Sequence, residues 1–539
     1  MFEKFLAIPL SMRESPILSP AQTEFFNDVK TFFFSNPFGD TSFETLKKLL
    51  GPEFNPISDQ RRIEDLTENR ERLCDKIERH LGDIDKLVHG ANKPLRPDDY
   101  RLYEPAVFCI QFHRNREAFQ GLIGKSKKAL KKRGPFHSDI WGDSLEDQLN
   151  PGGIKHQPSF KTEHLIALFY QLHRAESFII SNIPGRTASA GALRTRIWQS
   201  IFTRNLERYF IAIHATTRSA PTLITGPTGS RKDRIAETIA LSQYIPFDAS
   251  SSRFEARYNS AYTKIDLAAI HGDLFDHTVF GYRRNSASTA RSALDFASRW
   301  GSLFLDHLHQ APLSIQARLT HLIHSGHFHF LDGGEAQPFS GKLIAASKDG
   351  IKQTVIDGSF SEDLFLAISA DRIGSLPLLQ AISENTDELA FYVEIIAGEL
   401  TEDVATRQQI SDESIRWIRR HVSPAYMWPG NYRELEQCVR NIMIHGDFTL
   451  NTTLEHTGQS AATDPFPPFV HSMLSGQLPY DELLHHYFKI VVEREGGYAQ
   501  AARAIGVDQR TVKKYYRVQL KYRGDLILAP VFIPLLIGS

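Results

Sequence analysis

Cysteine is nearly absent from this 539-residue chain: Cys74, Cys109 and Cys438 stand far apart and form no CxxC or CxxH spacing. That excludes a disulfide framework and a zinc-ribbon type of site, and it fits a reducing cytoplasm. No apolar run reaches the roughly 18 residues that a membrane helix needs. The first residues, Met1–Leu10, are too briefly apolar for a signal peptide. Leu526 to Ile537 is apolar but broken by Pro530 and Pro534, and is expected to be a packed strand or a docked tail. Charge of one sign is missing as well. With 62 Lys and Arg against 63 Asp and Glu, any nucleic-acid surface must be local rather than global.

What is present is ordinary globular composition, 41% hydrophobic and 23% charged, over a length that suggests several domains. Residues 1–190 read as a mainly helical region of unassigned, regulatory or sensory role. Within it Ile63, Leu66, Leu73, Ile77, Leu81 and Ile84 recur at helical spacing. The basic run Lys125–Arg133 reads as a solvated helix face, and 134–160 as a loop. From Pro221 the pattern changes: short apolar strands at 221–225, 263–266, 301–306, 342–346 and 371–376 alternate with helices, which predicts a parallel α/β sheet. A helical stretch with a sharp turn at Trp428–Asn431 follows, then a Pro-rich linker.

Two segments carry chemistry. Gly226-Pro227-Thr228-Gly229-Ser230-Arg231-Lys232-Asp233 lies between a strand and a helix, where backbone N–H groups and a lysine can cradle phosphate. Arg231 replaces the second glycine of that pattern and Asp233 its Ser or Thr. The guanidinium could crowd the phosphates, force another turn, or lie along a phosphate; a strand–turn–helix without ligand is the bland alternative. Gly301–His307 reads as a buried strand ending in Asp306, a candidate Mg²⁺ ligand. The next position, where a second carboxylate would polarise water, is His307.

Near the end, Tyr498–Tyr516 has helix-turn-helix form: small Ala501 and Ala502, a turn at Gly506, and inward Val507 and Val512. Its second helix offers Gln509, Arg510, Lys513, Lys514 and Arg517 to base edges and phosphates. A helical hairpin with a solvated basic face is the alternative.

Over about residues 195–520 the chain resembles the sigma-54-dependent transcription activators. The motifs carrying the likeness are the phosphate loop, the Asp306 strand and Trp428-Pro429-Gly430-Asn431-Tyr432-Arg433-Glu434-Leu435. Phe280–Ala290 keeps the register of F-G-x-x-x-G-A-F-T-G-A. Ile344–Ser347 resembles the sensor strand, and Phe360–Ile368 resembles F-R-E-D-L-[FY]-[YH]-R-L. The resemblance implies an AAA+ P-loop core (195–380) with a helical lid (381–450). It further implies a linker (451–475), an all-α DNA-binding unit of the factor-for-inversion-stimulation type (476–522) and a tail (523–539). It implies ATP and Mg²⁺ as ligands, held by Gly226, Thr228, Gly229, Ser230, Arg231, Lys232, Asp233 and the sensor II Arg433, with Asp306 toward the metal.

The departures fall together. His307 stands at the catalytic carboxylate, Ser361 and Ala367 at the two trans-acting arginines, and Asn285–Ala290 at the sigma-contacting loop, without its aromatic. An arginine finger is worth about 10³–10⁵ in rate. The expected protein is therefore a cytoplasmic, oligomeric bacterial transcription regulator that binds double-stranded DNA, with a nucleotide-binding but hydrolysis-impaired core and no sigma-54 contact of the family's usual kind. The alternatives are an active ATPase whose substitutions are compensated elsewhere, and a non-catalytic assembly partner of an active paralogue.

Overall fold

The computed structural model describes residues 17–57, 66–128, 136–137, 144–260, 262–270, 272–282, 292–297, 300–450 and 480–516. Ile63, Asn285–Ala290, Arg517, the linker and the apolar tail lie outside them. The chain divides into two compact units, to Leu450 and from Asn451.

The first unit begins with helices α1 (Pro20–Phe34), α2 (Asp40–Leu50), α3 (Thr67–Ala91), α4 (Pro97–Arg114) and α5 (Arg116–Lys128). Local chemistry sets the start of α1: Ser19 accepts from the Gln22 N–H, Gln22 caps back onto the Ser19 N–H, and Pro20 opens the helix. In α3 the expected stripe of Leu73, Ile77, Leu81 and Ile84 is buried. The helix stops at Asn92, which adopts a left-handed backbone.

Next come α6 (Thr162–Asn182) and α7 (Ala188–Phe202). Helix α6 is buried on almost every side from Leu165 to Glu176, so its polar residues need internal partners. Glu176 meets Arg70 at 2.8 Å and Arg116 at 3.4 Å. Burial alone would raise the Glu176 carboxyl, but the two guanidinia outweigh it and hold the pKa down to about 2. His173, equally enclosed, is pushed down to about 3 by burial.

A five-stranded parallel sheet follows, formed by β1 (Thr222–Thr225), β2 (Tyr262–Asp266), β3 (Ser302–Asp306), β4 (Lys342–Ser347) and β5 (Asp371–Gly374). Its order is β5-β1-β4-β3-β2. Leu223, Ile224, Leu303, Phe304 and Leu305 are fully enclosed, as strands covered on both faces require. Helix α8 (Lys232–Leu241) runs from β1 across one face, and α9 (Leu313–Ser325) and α10 (Glu362–Ile368) belong to the core on the other.

The expected division near residue 190 falls inside one continuous apolar core. That core joins Phe26, Ile77, Val107 and Phe169 to Ile235, Phe304, Ile344 and Ile373. Arg174 of α6 donates to the carbonyls of Leu241 at 2.6 Å and Gln243 at 2.7 Å, and Gln171 donates to that of Ser242. The amino-terminal helices therefore hold the end of α8 directly.

A helical lid completes the unit: α11 (Leu378–Glu384), α12 (Asp387–Leu400), α13 (Val404–His421) and α14 (Asn431–His445), closed around Tyr392, Ile396, Trp428, Leu435 and Val439. The second unit contains α15 (Tyr480–Glu495), α16 (Tyr498–Ile505) and α17 (Gln509–Tyr516) around Phe488, Val491, Ala501 and Val512. Gly506 makes the turn with a φ of 76°, a conformation that favours glycine. No described helix is long and apolar enough to cross a membrane.

Candidate functional site

The sheet's carboxyl edge, the loop after β1 and the lid enclose a polar cleft of about 410 Å³. Residues 228–233, Lys264, Asp266, Asp306, His307, His309, Gln310, Ser347, Lys348 and Arg433 line it. The structure thus brings together the expected Thr228, Gly229, Ser230, Arg231, Lys232, Asp233, Asp306 and Arg433. Gly226 supports them from the loop's start.

The loop wall is built for close approach. Gly229 has a φ of 75°, and a Cβ there would lie 2.0 Å from the Gly430 carbonyl oxygen. Asn431 fastens the lid to the loop: its Nδ2 donates to the Thr228 carbonyl at 2.9 Å, and its Oδ1 accepts from the Leu378 N–H at 3.1 Å. Lys232 Nζ donates to the carbonyls of Gly226 and Pro227, each at 2.8 Å. Burial lowers its pKa. A phosphate oxygen offers this ammonium a stronger, charge-assisted partner than those carbonyls.

Arg231 lines the cleft, makes a turn of its own and rests its guanidinium on the lid. It caps α8 in the left-handed region, with a φ of 58°, and its guanidinium lies over Tyr432, 4.8 Å from the ring centroid. This directs the charge toward a small pocket bordered by Ile183, Pro184, Tyr392 and Tyr432. That pocket offers about 30 Å³, water-sized rather than base-sized. The cleft is therefore the roomier of the two, and the neighbouring pocket is too small for a purine.

The strand wall is made by β2 and β3, whose register sets Asp266 beside Asp306. His307 follows with a φ of 55°. Its Nδ1 lies 2.8 Å from Asp266 Oδ1, while its backbone N–H donates to Asp306 Oδ1 at 2.9 Å. Burial opposes ionisation of Asp266, but the Ala268 N–H, His307 and Lys264 together lower its pKa. His309, 3.3 Å from Ser347 Oγ, is pushed down to about 4 by burial and then by Lys348, His307 and Lys232.

Sequence reasoning gave no role to Lys264, Asp266 or His309. The available signal was that two parallel strands both end in aspartate. The arginine-finger positions carry no cation: Ser361 caps α10 by accepting from the Leu364 N–H, and Ala367 is half-buried. In the second unit Gln509, Arg510, Lys513 and Lys514 are exposed on α17, which Asp508 opens by accepting from the Arg510 N–H at 2.7 Å.

A parallel sheet of this strand order, with a phosphate loop after β1 and a helical lid, defines an AAA+-type P-loop core. Residues 203–373 match the sigma-54 interaction domain. The chain is 24% identical over 325 residues to a Nif-specific regulatory protein of Azotobacter vinelandii, covering 59% of this chain and 57% of that protein. It is 29% identical over 345 residues to the DNA-binding transcriptional regulator NtrC of Klebsiella pneumoniae, covering 61% and 67%. Among solved structures, NtrX from Brucella abortus in complex with ATP is 20% identical, covering 69% of this chain and 78% of that one, with a TM-score of 0.37. The chain spans about half the length of the first curated relatives it matches. Over the sigma-54 interaction domain the chain is thus similar to the sigma-54-dependent activators.

Proposed function

We propose that this chain is a DNA-binding transcription regulator whose AAA+ core binds nucleotide phosphates and assembles, with little hydrolysis. One contrast supports the reading. Helix α17 keeps an exposed Gln509, Arg510, Lys513 and Lys514, whereas the hydrolytic positions hold His307, Ser361 and Ala367. Lys232, the loop N–H groups and Arg433 can bind phosphate without a chemical step. Such helix-turn-helix units read two-fold sites as dimers, so self-association of the core or of this unit accompanies the proposal. The Asn285–Ala290 segment, lacking an aromatic, argues against contact with sigma-54 polymerase in the family's manner.

Gel shifts on genomic fragments test the DNA claim. Arg510→Ala should weaken specific binding by about 1–3 kcal/mol, whereas Lys513→Ala should weaken all sequences alike and flatten the salt dependence. Unchanged binding in both variants contradicts the proposal.

The Asp266–His307 pair supports a second reading. A histidine oriented through Nδ1 by a carboxylate is a competent general base, so Asp266 could compensate for the lost carboxylate. Under that reading steady ATP turnover falls at least about 100-fold in His307→Ala. Under the first there is no turnover to lose.

A further inference from the structure

In P-loop sites the divalent cation sits between the loop residue after the lysine and the acidic residue ending a second strand of the sheet. Those residues are Asp233 and Asp306 here, and the space between them already contains a cation. Lys264 Nζ lies 3.7 Å from Asp233 Oδ2 and 3.9 Å from Asp306 Oδ2.

The placement follows from strand register. Lys264 pairs with Phe304 and lies two residues before Asp266, so it leaves the same sheet face, and its ammonium passes 5.6 Å from the Phe304 ring centroid. The Asp306 side chain is only 16% exposed, and both its oxygens have partners: the His307 N–H on Oδ1 and Lys264 on Oδ2. A magnesium ion there would need an octahedral oxygen shell and would face the Lys264 ammonium, 3.9 Å from Asp306 Oδ2. The residues do not fit Mg²⁺ while Lys264 holds this position.

We propose that the Lys264 ammonium replaces the divalent cation, so that the cleft binds the triphosphate of a nucleotide without metal. The proposal rests on the nucleotide-binding reading above and adds to it a specific departure from metal-dependent P-loops. Lys232, Lys348 and Arg433 supply the remaining positive charge from the loop, the sensor strand and the lid. A single ammonium neutralises the carboxylates without bridging two phosphate oxygens as a metal does. Binding then survives while alignment for transfer is lost.

Calorimetric titration of the full chain with ATP, in excess EDTA and again in millimolar MgCl₂, tests this without a variant. The expected affinities agree within about twofold. Lys264→Ala should bind about tenfold more weakly in EDTA and recover when Mg²⁺ is added, and Lys264→Arg should stay metal-independent. Wild-type binding that requires Mg²⁺ overturns the proposal and leaves the nucleotide reading standing. No ATP binding in either buffer overturns that reading, and the proposal with it.

Discussion

The two walls of the cleft are both polar, yet their charges are satisfied differently. On the loop wall Lys232 is held by the Gly226 and Pro227 carbonyls, neutral partners that a phosphate can displace. On the strand wall the carboxylates already have partners: His307 beside Asp266, and Lys264 near Asp306 and, from across the cleft, near Asp233 of α8. The first wall is arranged to accept an anion. The second has spent its carboxylates internally, and a carboxylate engaged by an ammonium or an imidazole is a poorer base and a poorer metal ligand. Under the proposed function, binding and chemistry separate within one cleft because different residues serve them.

Rebuilding the strand wall is the strongest way to break this contrast. His307→Glu alone would set a new carboxylate against Asp266, raising one of the two pKa values and restoring little. Asp266→Asn with His307→Glu removes that repulsion, and Ser361→Arg with Ala367→Arg returns the trans-acting cations. These four changes combined with Lys264→Ala, which reopens the cation position between Asp233 and Asp306, should raise phosphate release in MgCl₂ by at least about 10³-fold. Failure of this five-fold variant, with its fold and ATP binding intact, would place the defect elsewhere.

Support beneath the loop wall gives the next effect. Helix α6 carries Glu176 and His173 in full burial, and both should tie stability to pH. The Glu176 pKa is about 2, below its unfolded value of about 4.3, so its contribution is complete above that value and is lost as pH falls toward 2. The His173 pKa is about 3, below its unfolded value of about 6.5, so protonation favours the unfolded chain progressively below pH 6.5. The unfolding free energy, read from denaturant midpoints, should fall by a few kcal/mol as pH drops from 7 to 4, nearly all of it through His173. The Glu176 share appears only below about pH 4.3, and His173→Phe should flatten the slope above that point. A smaller, more local change is Lys232→Ala, which should weaken ATP about 10- to 100-fold without shifting the midpoint.

What the residues disclosed in advance was local. A strand, a glycine-bearing turn and a helix are consecutive in sequence, so the phosphate loop and the turn at Gly506 could be read directly, as could the apolar stripe of α3. The strand wall could not. Lys264 and Asp266 reach Asp306 and His307 only through the register of β2 on β3, some forty residues apart, and no periodicity within either segment announces that pairing. The continuity of the amino-terminal helices with the sheet was hidden for another reason. Gln171, His173, Arg174 and Glu176 give α6 a polar look, whereas each is buried in the core. Arg231 was legible as an oddity, but its resting place over Tyr432 depends on a lid residue two hundred positions away.

The proposed function requires a cleft that holds nucleotide and does not consume it. Measuring ATP binding and phosphate release on one sample of the full chain tests this most directly. The account predicts saturable binding, lost in Lys232→Ala, with release no faster than in that variant. Rapid phosphate release from the wild-type protein, abolished by Lys232→Ala and by His307→Ala, would contradict it and make Asp266 and His307 the working base.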